Sequence, residues 1–145
     1  MGAEKMSKQH VVGQTRTAGF QIGVRRTFAI SVAQAWDFLT SEEGQRIWLG
    51  EDCALALREG ASYTTPGGTR GTVRVINPGV NLRLTWQPRE WARASTIQIR
   101  TIPSGVNTVI SFHQEGLADV RERATMRQRW QEAIAKLETH FPPTK

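Results

Sequence analysis

The end of the chain contains one long segment with helical periodicity, and this segment most constrains the fold. Asp119 followed by Glu122 forms an acidic variant of the capping box, and Pro142-Pro143 stops a helix at about His140. Apolar side chains recur between these limits within an ideal-helix arc about 100° wide. They are Met126, Trp130, Ala133, Ile134, Leu137 and Phe141. We therefore predict a helix of about 20 residues, roughly 30 Å long, which can cross a whole sheet.

The arginines of this helix do not form a separate cationic face. Arg121 points away from the apolar arc, Arg127 and Arg129 flank it, and Arg123 falls inside it. Three glutamates interrupt the remaining surface: Glu122, Glu132 and Glu138. A recognition helix or a membrane-surface helix requires a more uniform basic face. We therefore predict that the stripe packs on protein and that the chain binds no nucleic acid, despite its net charge of +6.

The centre of the chain has the two-residue periodicity of strands. Strands are predicted at about 54–65, 69–77, 81–88, 95–103 and 106–114, after an earlier strand at 21–30. Short segments rich in Gly, Pro and Asn separate the five central strands. Short connections of this kind favour an antiparallel meander with one apolar face and one polar face.

Two short helices are predicted between the first strand and the meander. Ser31 and Gln34 have capping-box spacing, and Ser41 offers a second cap for a helix that ends near Trp48. The predicted order is β-α-α-β-β-β-β-β-α, an α+β fold with about six strands. At 145 residues we expect one domain at 21–141, with disordered tails at 1–20 and 142–145.

Composition excludes several classes of function. Cys53 is the single cysteine, so there is no internal disulfide or cysteine-rich zinc site, as expected for a cytoplasmic protein. No apolar run reaches the roughly 20 residues of a membrane span. His10, His113 and His140 form no spaced set with Cys or carboxylates that would bind a metal or build a catalytic triad. We predict no metal and no cofactor.

Several runs resemble a known family. They are GVRRTFAISVAQAWDFLTSEEGQRIWLGE, GTVRVINPGVNLRLTWQP, STIQI, VISFHQEGL and RERATMRQRW. Together they resemble the START/SRPBCC helix-grip superfamily, in the branch similar to the C-terminal domain of the heat-shock-protein ATPase activator. The resemblance implies a curved antiparallel sheet that grips the long helix, with a hydrophobic cavity between them. Two positions depart from the family pattern: Arg129 replaces a common Gly before the helix Trp, and Gln114 interrupts a common His-Glu-Gly.

The predicted function is binding of a small hydrophobic or amphipathic molecule, without catalysis, between the sheet and the long helix. Trp86, Met126 and Trp130 are expected to line a cavity or simply to fill the core. Trp48 and Tyr63 are expected at its rim. The full set of predicted ligand-binding residues is Trp48, Tyr63, Trp86, Ile99, Arg123, Met126 and Trp130. Trp91 is the aromatic residue expected to be partly exposed, and a gating role is the less favoured interpretation of its position.

Three alternatives remain open at this point. Arg123 needs an acceptor, which Glu115, Glu51, Asp52 or an anionic ligand would supply, unless it reaches solvent. The chain could be a co-chaperone-like module that binds an acidic protein partner. It could also be a cyclase- or hydrolase-like enzyme that uses His113 or Glu115 in the same pocket.

Overall fold

A computed structural model describes residues 14–15, 19–50 and 55–142. These residues form seven strands and three helices in one α+β arrangement, as predicted. In chain order they are β1 (Gln14–Thr15), β2 (Gly19–Phe28), α1 (Val32–Thr40), α2 (Glu42–Trp48), β3 (Ser62–Thr64), β4 (Arg70–Asn77), β5 (Asn81–Trp86), β6 (Ser95–Ser104), β7 (Asn107–Leu117) and α3 (Val120–Leu137). None of the described helices combines the length and the hydrophobicity that crossing a lipid bilayer requires.

The described strands form one antiparallel sheet in the order β1-β2-β7-β6-β5-β4-β3. The strands β3 to β7 make the predicted meander, and β2 closes it by pairing along the last strand, β7. The pairing of β2 with β7 runs from Phe20 with Leu117 to Phe28 with Thr108. In the chain, the helices α1 and α2 lie between β2 and β3.

Two predicted boundaries are wrong. The predicted strand at 54–65 is reduced to Ser62–Thr64, because the Leu55 N–H donates to the side chain of Gln45 and a turn at Gly60 interrupts the segment. At the other end of the chain, the short strand β1 and the start of β2 lie within the segment predicted as a tail. The rest of that segment, and residues 143–145, lie outside the described residues, as does Cys53.

The apolar stripe of α3 packs against the concave face of the sheet, as predicted. Met126, Trp130, Ala133, Ile134 and Leu137 are all buried. The helix ends at Leu137, three residues earlier than predicted. Along the strands, side chains that point toward α3 alternate with side chains that point outward. The inward side chains complete the core, and they include Ile22, Phe28, Val73, Leu82, Leu84, Ile97, Ile99, Ile110 and Phe112.

The caps predicted for the short helices are present. The Ser31 hydroxyl accepts from the Gln34 N–H at 3.1 Å, and the Gln34 side chain accepts from the Ser31 N–H at 2.9 Å. Ser41 accepts from the Gly44 N–H. A Cβ atom at Gly44 would lie 1.9 Å from the Phe38 carbonyl oxygen, so only glycine lets α2 turn this closely against α1.

A buried chain of hydrogen bonds fixes α3 to the sheet. The Trp130 indole N–H donates to Gln114 Oε1 at 2.9 Å, and Gln114 Nε2 donates to the Ser95 hydroxyl at 2.8 Å. The Ser95 hydroxyl in turn donates to the Trp86 carbonyl at 2.7 Å. Phe112 stacks on the same Trp130 ring, with centroids 4.8 Å apart. Because both members of each pair are buried, the chain specifies the position of Trp130 as well as contributing energy.

We predict that Gln114→Leu lowers the free energy of unfolding by about 2 kcal/mol, because it leaves the Trp130 N–H buried without an acceptor. Gln98→Leu is the matched control on the neighbouring strand, where the side chain is half-buried and accepts from Asn81 Nδ2. The control should cost less than about 1 kcal/mol. Urea unfolding of the three proteins measures both values. Equal losses in the two variants would contradict the assigned role of Gln114.

Candidate functional site

Six of the seven predicted ligand-binding residues lie in the core, and Arg123 lies apart. The exposure of the six ranges from 0% for Trp48 and Trp130 to 7% for Tyr63. The remaining three are Trp86 at 6%, Ile99 at 1% and Met126 at 1%. Arg123 is half-buried at the start of α3.

Three tryptophans and one arginine meet where the C-terminal half of α3 passes the end of β5. The Trp86 and Trp91 rings pack edge to face at 5.4 Å. The guanidinium carbon of Arg129 lies 5.1 Å from the centre of the Trp86 ring and 5.9 Å from that of Trp130. We call Trp86, Trp91, Trp130 and Arg129 the tryptophan corner. Cations at these distances from indole rings are held by the ring quadrupoles, which orients the guanidinium.

Arg129 also connects α3 to the end of α2. Its Nη2 atom donates to the carbonyl oxygens of Leu49 at 3.0 Å and Trp48 at 3.3 Å. These carbonyls belong to the helix C-terminus, where backbone acceptors lack partners within the helix and attract a cation. The Trp48 indole N–H donates to the Leu39 carbonyl at 2.8 Å, so the same residue also ties α2 to α1.

Burial lowers the pKa of Arg129, and the nearby Tyr63 and Glu132 side chains offset part of this effect. An arginine keeps its proton at neutral pH even so, because its ordinary pKa lies far above 7. The tryptophan corner therefore contains a permanent positive charge that is largely removed from water. A charge in this position is stabilised by acceptors and aromatic faces.

Two buried N–H donors of the tryptophan corner have no acceptor among the described residues. They are Nε1 of Trp86, a residue with 6% of its surface exposed, and Nε of Arg129. A buried donor without a partner costs about 1–3 kcal/mol, and native proteins contain few of them. Two on adjoining side chains therefore mark this corner as a place where an acceptor is missing.

Two cavities are lined by described residues near this region. The first, about 190 Å³, lies between α2 and α3 and has Arg129 in its wall. Its lining is Arg46, Ile47, Gly50, Arg129, Glu132, Ala133 and Lys136. The second, about 300 Å³, lies among β3, β4 and β5 and includes Tyr63, Gly71, Thr72 and Thr85. The predicted residues Trp48, Trp86, Ile99, Met126 and Trp130 line neither of these two cavities.

Tyr63 is held across β4 by the absence of a side chain at Gly71. The Tyr63 hydroxyl donates to the Thr85 carbonyl at 2.6 Å. A Cβ atom at Gly71 would lie 1.9 Å from that carbonyl oxygen and 2.6 Å from the Tyr63 hydroxyl. Tyr63 is therefore a fixed wall residue rather than a mobile rim.

Glu115, one of the acceptors considered for Arg123, is not its partner. Arg123 Nε donates to the Gln21 carbonyl at 2.8 Å, and Glu115 faces Arg83 at 3.9 Å. The other acceptors considered, Glu51 and Asp52, lie outside the described residues. The arginine that enters the protein is Arg129, because α2 covers the flank of α3 on which it lies. The replacement of a common Gly before the helix Trp was the sequence signal that pointed to it.

His113 and Glu115 lie on the face of the sheet opposite Phe112 and Gln114, as the alternation of burial along β7 shows. His113 Nε2 donates to Gln21 Oε1 at 2.9 Å. Burial lowers the pKa of His113; Glu115 opposes this effect and Arg83 adds to it. Neither side chain faces the interior, so the pocket acid or base that the sequence suggested is not formed by them. Within the described ranges, no group of His, Cys, Asp and Glu could hold a metal ion.

The lowered pKa of His113 predicts a loss of stability in mild acid. The folded protein binds this proton less readily than the unfolded chain, whose histidine has its ordinary pKa of 6.5. Stability is therefore full above that value and falls as the pH drops through it toward the folded-state pKa. Urea unfolding near pH 7.5 and near pH 5.5 should show a larger loss for the wild type than for His113→Gln. Equal losses would contradict the assignment.

Comparisons with known proteins agree with this fold. No curated protein matches the sequence. The crystal structure of CalU16 from Micromonospora echinospora superposes with a TM-score of 0.74 at 20% identity, covering 87% of this chain and 80% of that one. An HSP90 activator from Plasmodium falciparum gives 0.70 at 16% identity, covering 87% and 100%. The Aha1 dimer from Colwellia psychrerythraea gives 0.68 at 16% identity, covering 81% and 92%.

These identities are low, so the three structures show the shared fold alone. The family is shown by the sequence itself, since residues 29–141 match the profile described as Activator of Hsp90 ATPase homolog 1-like protein. That match runs from the end of β2 through α3, and it includes every residue of the tryptophan corner. The chain belongs to the family of Activator of Hsp90 ATPase homolog 1-like proteins.

Proposed function

We propose that the protein binds a small amphipathic molecule at the tryptophan corner. The observation that carries this proposal is the Trp86 indole N–H, buried among aromatic rings with no acceptor in the described part of the chain. Indole rings supply a large apolar contact area, and the free N–H supplies one polar point that fixes orientation. This combination suits a ligand with an apolar body and a hydrogen-bond acceptor.

The proposed position is at the edge of the interior rather than at its centre. Met126 and Ile99 each have 1% of their surface exposed, and Phe112 stacks on Trp130 without a gap. We assign these packed residues to the inner wall of the site. Arg123 is bonded to the backbone of β2 and takes no part.

Trp91 gives the corner a movable side. It is half-buried and lies in the connection between β5 and β6, where its carbonyl accepts from Gln87 Nε2 at 2.8 Å. A side chain on a connecting segment moves at lower cost than one on a central strand. We propose that Trp91 shifts from the Trp86 ring when ligand enters, which is the gating role that the sequence left as an alternative.

The test uses phenylnaphthylamine, a neutral fluorescent probe with an apolar body. We expect saturable binding of one equivalent, with enhanced probe fluorescence and quenched tryptophan emission. Trp91→Ala should weaken the binding on the order of 10-fold, because it removes one aromatic wall. Trp36→Ala is the matched control, since Trp36 is also half-buried but lies on α1. Absence of saturable binding to the wild type, both of this probe and of its sulfonated analogue, would refute the proposed function.

A second candidate function is supported by the outer face of the sheet. Arg25 and Arg100 both pair with Ser111 of β7, so two arginines flank one position of that strand. Arg83 lies one strand further along. A basic row of this kind suits an acidic protein surface. The similarity to an HSP90 activator suggests HSP90 as the partner to test.

This second candidate predicts that the chain raises the ATPase rate of purified HSP90 and that the double variant Arg25→Glu and Arg100→Glu abolishes the effect. Increasing salt should weaken the stimulation, because the proposed contacts are exposed charge pairs. Arg127→Glu, on the exposed surface of α3, is the control for a change in net charge. An unchanged ATPase rate with the wild-type chain would eliminate this candidate.

A further inference from the structure

We infer that the ligand carries an anionic head group, which binds Arg129 at the base of the groove between α2 and α3. This inference rests on the proposed function and adds to it the chemistry of the polar end. Carboxylate, sulfonate and phosphate groups share the required features, namely negative charge and several acceptor oxygens. The tryptophan corner would hold the apolar body, and the groove would hold the head group.

The first observation is that both missing partners must be acceptors. Trp86 Nε1 and Arg129 Nε are donors only, and each is buried without an acceptor in the region described. The Arg129 guanidinium lies over the Trp86 ring at 5.1 Å, so the two donors belong to adjoining side chains. A ligand group that is itself a donor would leave both unsatisfied, whereas an oxyanion can accept from both.

The second observation is the geometry of the Arg129 guanidinium. Nη2 is held by the carbonyls of Trp48 and Leu49, which fixes the plane of the group and leaves the Nε–H unused. A preorganised guanidinium loses little side-chain entropy when an oxyanion binds. The hydrogen bonds that hold Arg129 in place use Nη2, whereas the donor that would contact the ligand is Nε.

The third observation is the charge of the groove. Its cavity of about 190 Å³ is lined by three cations, Arg46, Arg129 and Lys136, against one carboxylate, Glu132. Glu132 accepts from Gln128 Nε2 at 3.1 Å. Arg46 faces Glu42 at 3.9 Å on the exposed surface of α2, a contact that contributes little energy. The excess positive charge at the mouth would attract an anion and guide its head group toward Arg129.

The test compares phenylnaphthylamine with anilinonaphthalene sulfonate, which has the same apolar body plus a sulfonate. Both should bind the wild type, and the sulfonate should bind on the order of 10-fold more tightly, because charge-assisted hydrogen bonds are the stronger kind. Arg129→Gln should remove this advantage, so that the variant binds the two probes with affinities within about 2-fold of each other. Fluorescence titration of each probe gives the four dissociation constants.

Two further variants make the result specific. Arg127→Gln removes the same charge from an exposed position of α3 and should leave both affinities unchanged. Trp86→Phe keeps an aromatic ring but removes the free N–H, so it should weaken sulfonate binding by about 3-fold to 10-fold. Lys136→Gln changes a residue that lines the groove but takes no part in the hydrogen bonds from Arg129 to Trp48 and Leu49. It should weaken binding of the sulfonate by about 2-fold to 3-fold.

The outcomes separate the two proposals. Binding of neither probe refutes the proposed function and this inference together. Equal binding of both probes by the wild type, or a sulfonate advantage that survives Arg129→Gln, refutes the anionic head group alone and leaves ligand binding standing. If Arg129→Gln fails to fold, the Trp86→Phe and Lys136→Gln variants decide, and unchanged sulfonate affinity in both overturns the inference.

Discussion

The hydrogen bond from the Trp130 indole to Gln114 is the interaction on which the interior depends. It belongs to a buried chain that continues through Ser95 to the backbone of Trp86. An aromatic stripe on a helix can slide along an apolar sheet at little cost, because dispersion contacts are not directional. Polar groups that are buried and mutually satisfied permit one alignment. The chain therefore sets where α3 lies on the strands and, with it, where Arg129 enters the protein.

The position of Arg129 follows from that alignment. One residue before Trp130, it leaves the apolar stripe on the side that α2 covers, and it bonds to the carbonyls at the end of α2. The same guanidinium contacts two tryptophan rings and the groove between the helices. A structural contact and an unused donor coexist in one side chain. This explains how a largely buried charge is stabilised while one of its donors has no partner among the described residues.

The periodicity of the sequence was sufficient to predict the fold, because each element has a clear signal. The capping residues Ser31 and Ser41, the stripe of α3 and the alternation in β5 and β6 all have the expected structural roles. The order of elements and the antiparallel meander also follow from spacing and turn residues alone. The failure at 54–65 has a local cause, since the buried side chain of Gln45 captures the backbone N–H of Leu55. A contact between residues ten positions apart leaves no periodic signal.

The candidate site was less predictable from sequence. A helical wheel shows which residues share a face but not which neighbours cover its flanks, so it placed Arg123 inside the apolar arc and Arg129 only beside it. Trp86 and Trp130 are buried, as expected for aromatic side chains at strand and helix spacing. Trp48 and Tyr63, which were expected at a rim, are buried as well. The unpaired donors could be found only in three dimensions, because satisfaction of a hydrogen bond depends on every surrounding group.

The pairing of β2 with β7 has a consequence for how the molecule assembles. Phe20 pairs with Leu117, so these two neighbouring strands join residues that are far apart in the described chain. The meander from β3 to β7 can form from neighbouring segments, whereas the pairing of β2 with β7 requires a long loop to close. Until then the apolar face that α3 covers is open on one side. Formation of the β2–β7 pairing should thus limit the folding rate of the protein. Mutations in these two paired strands should slow folding more than mutations in the turns of the meander.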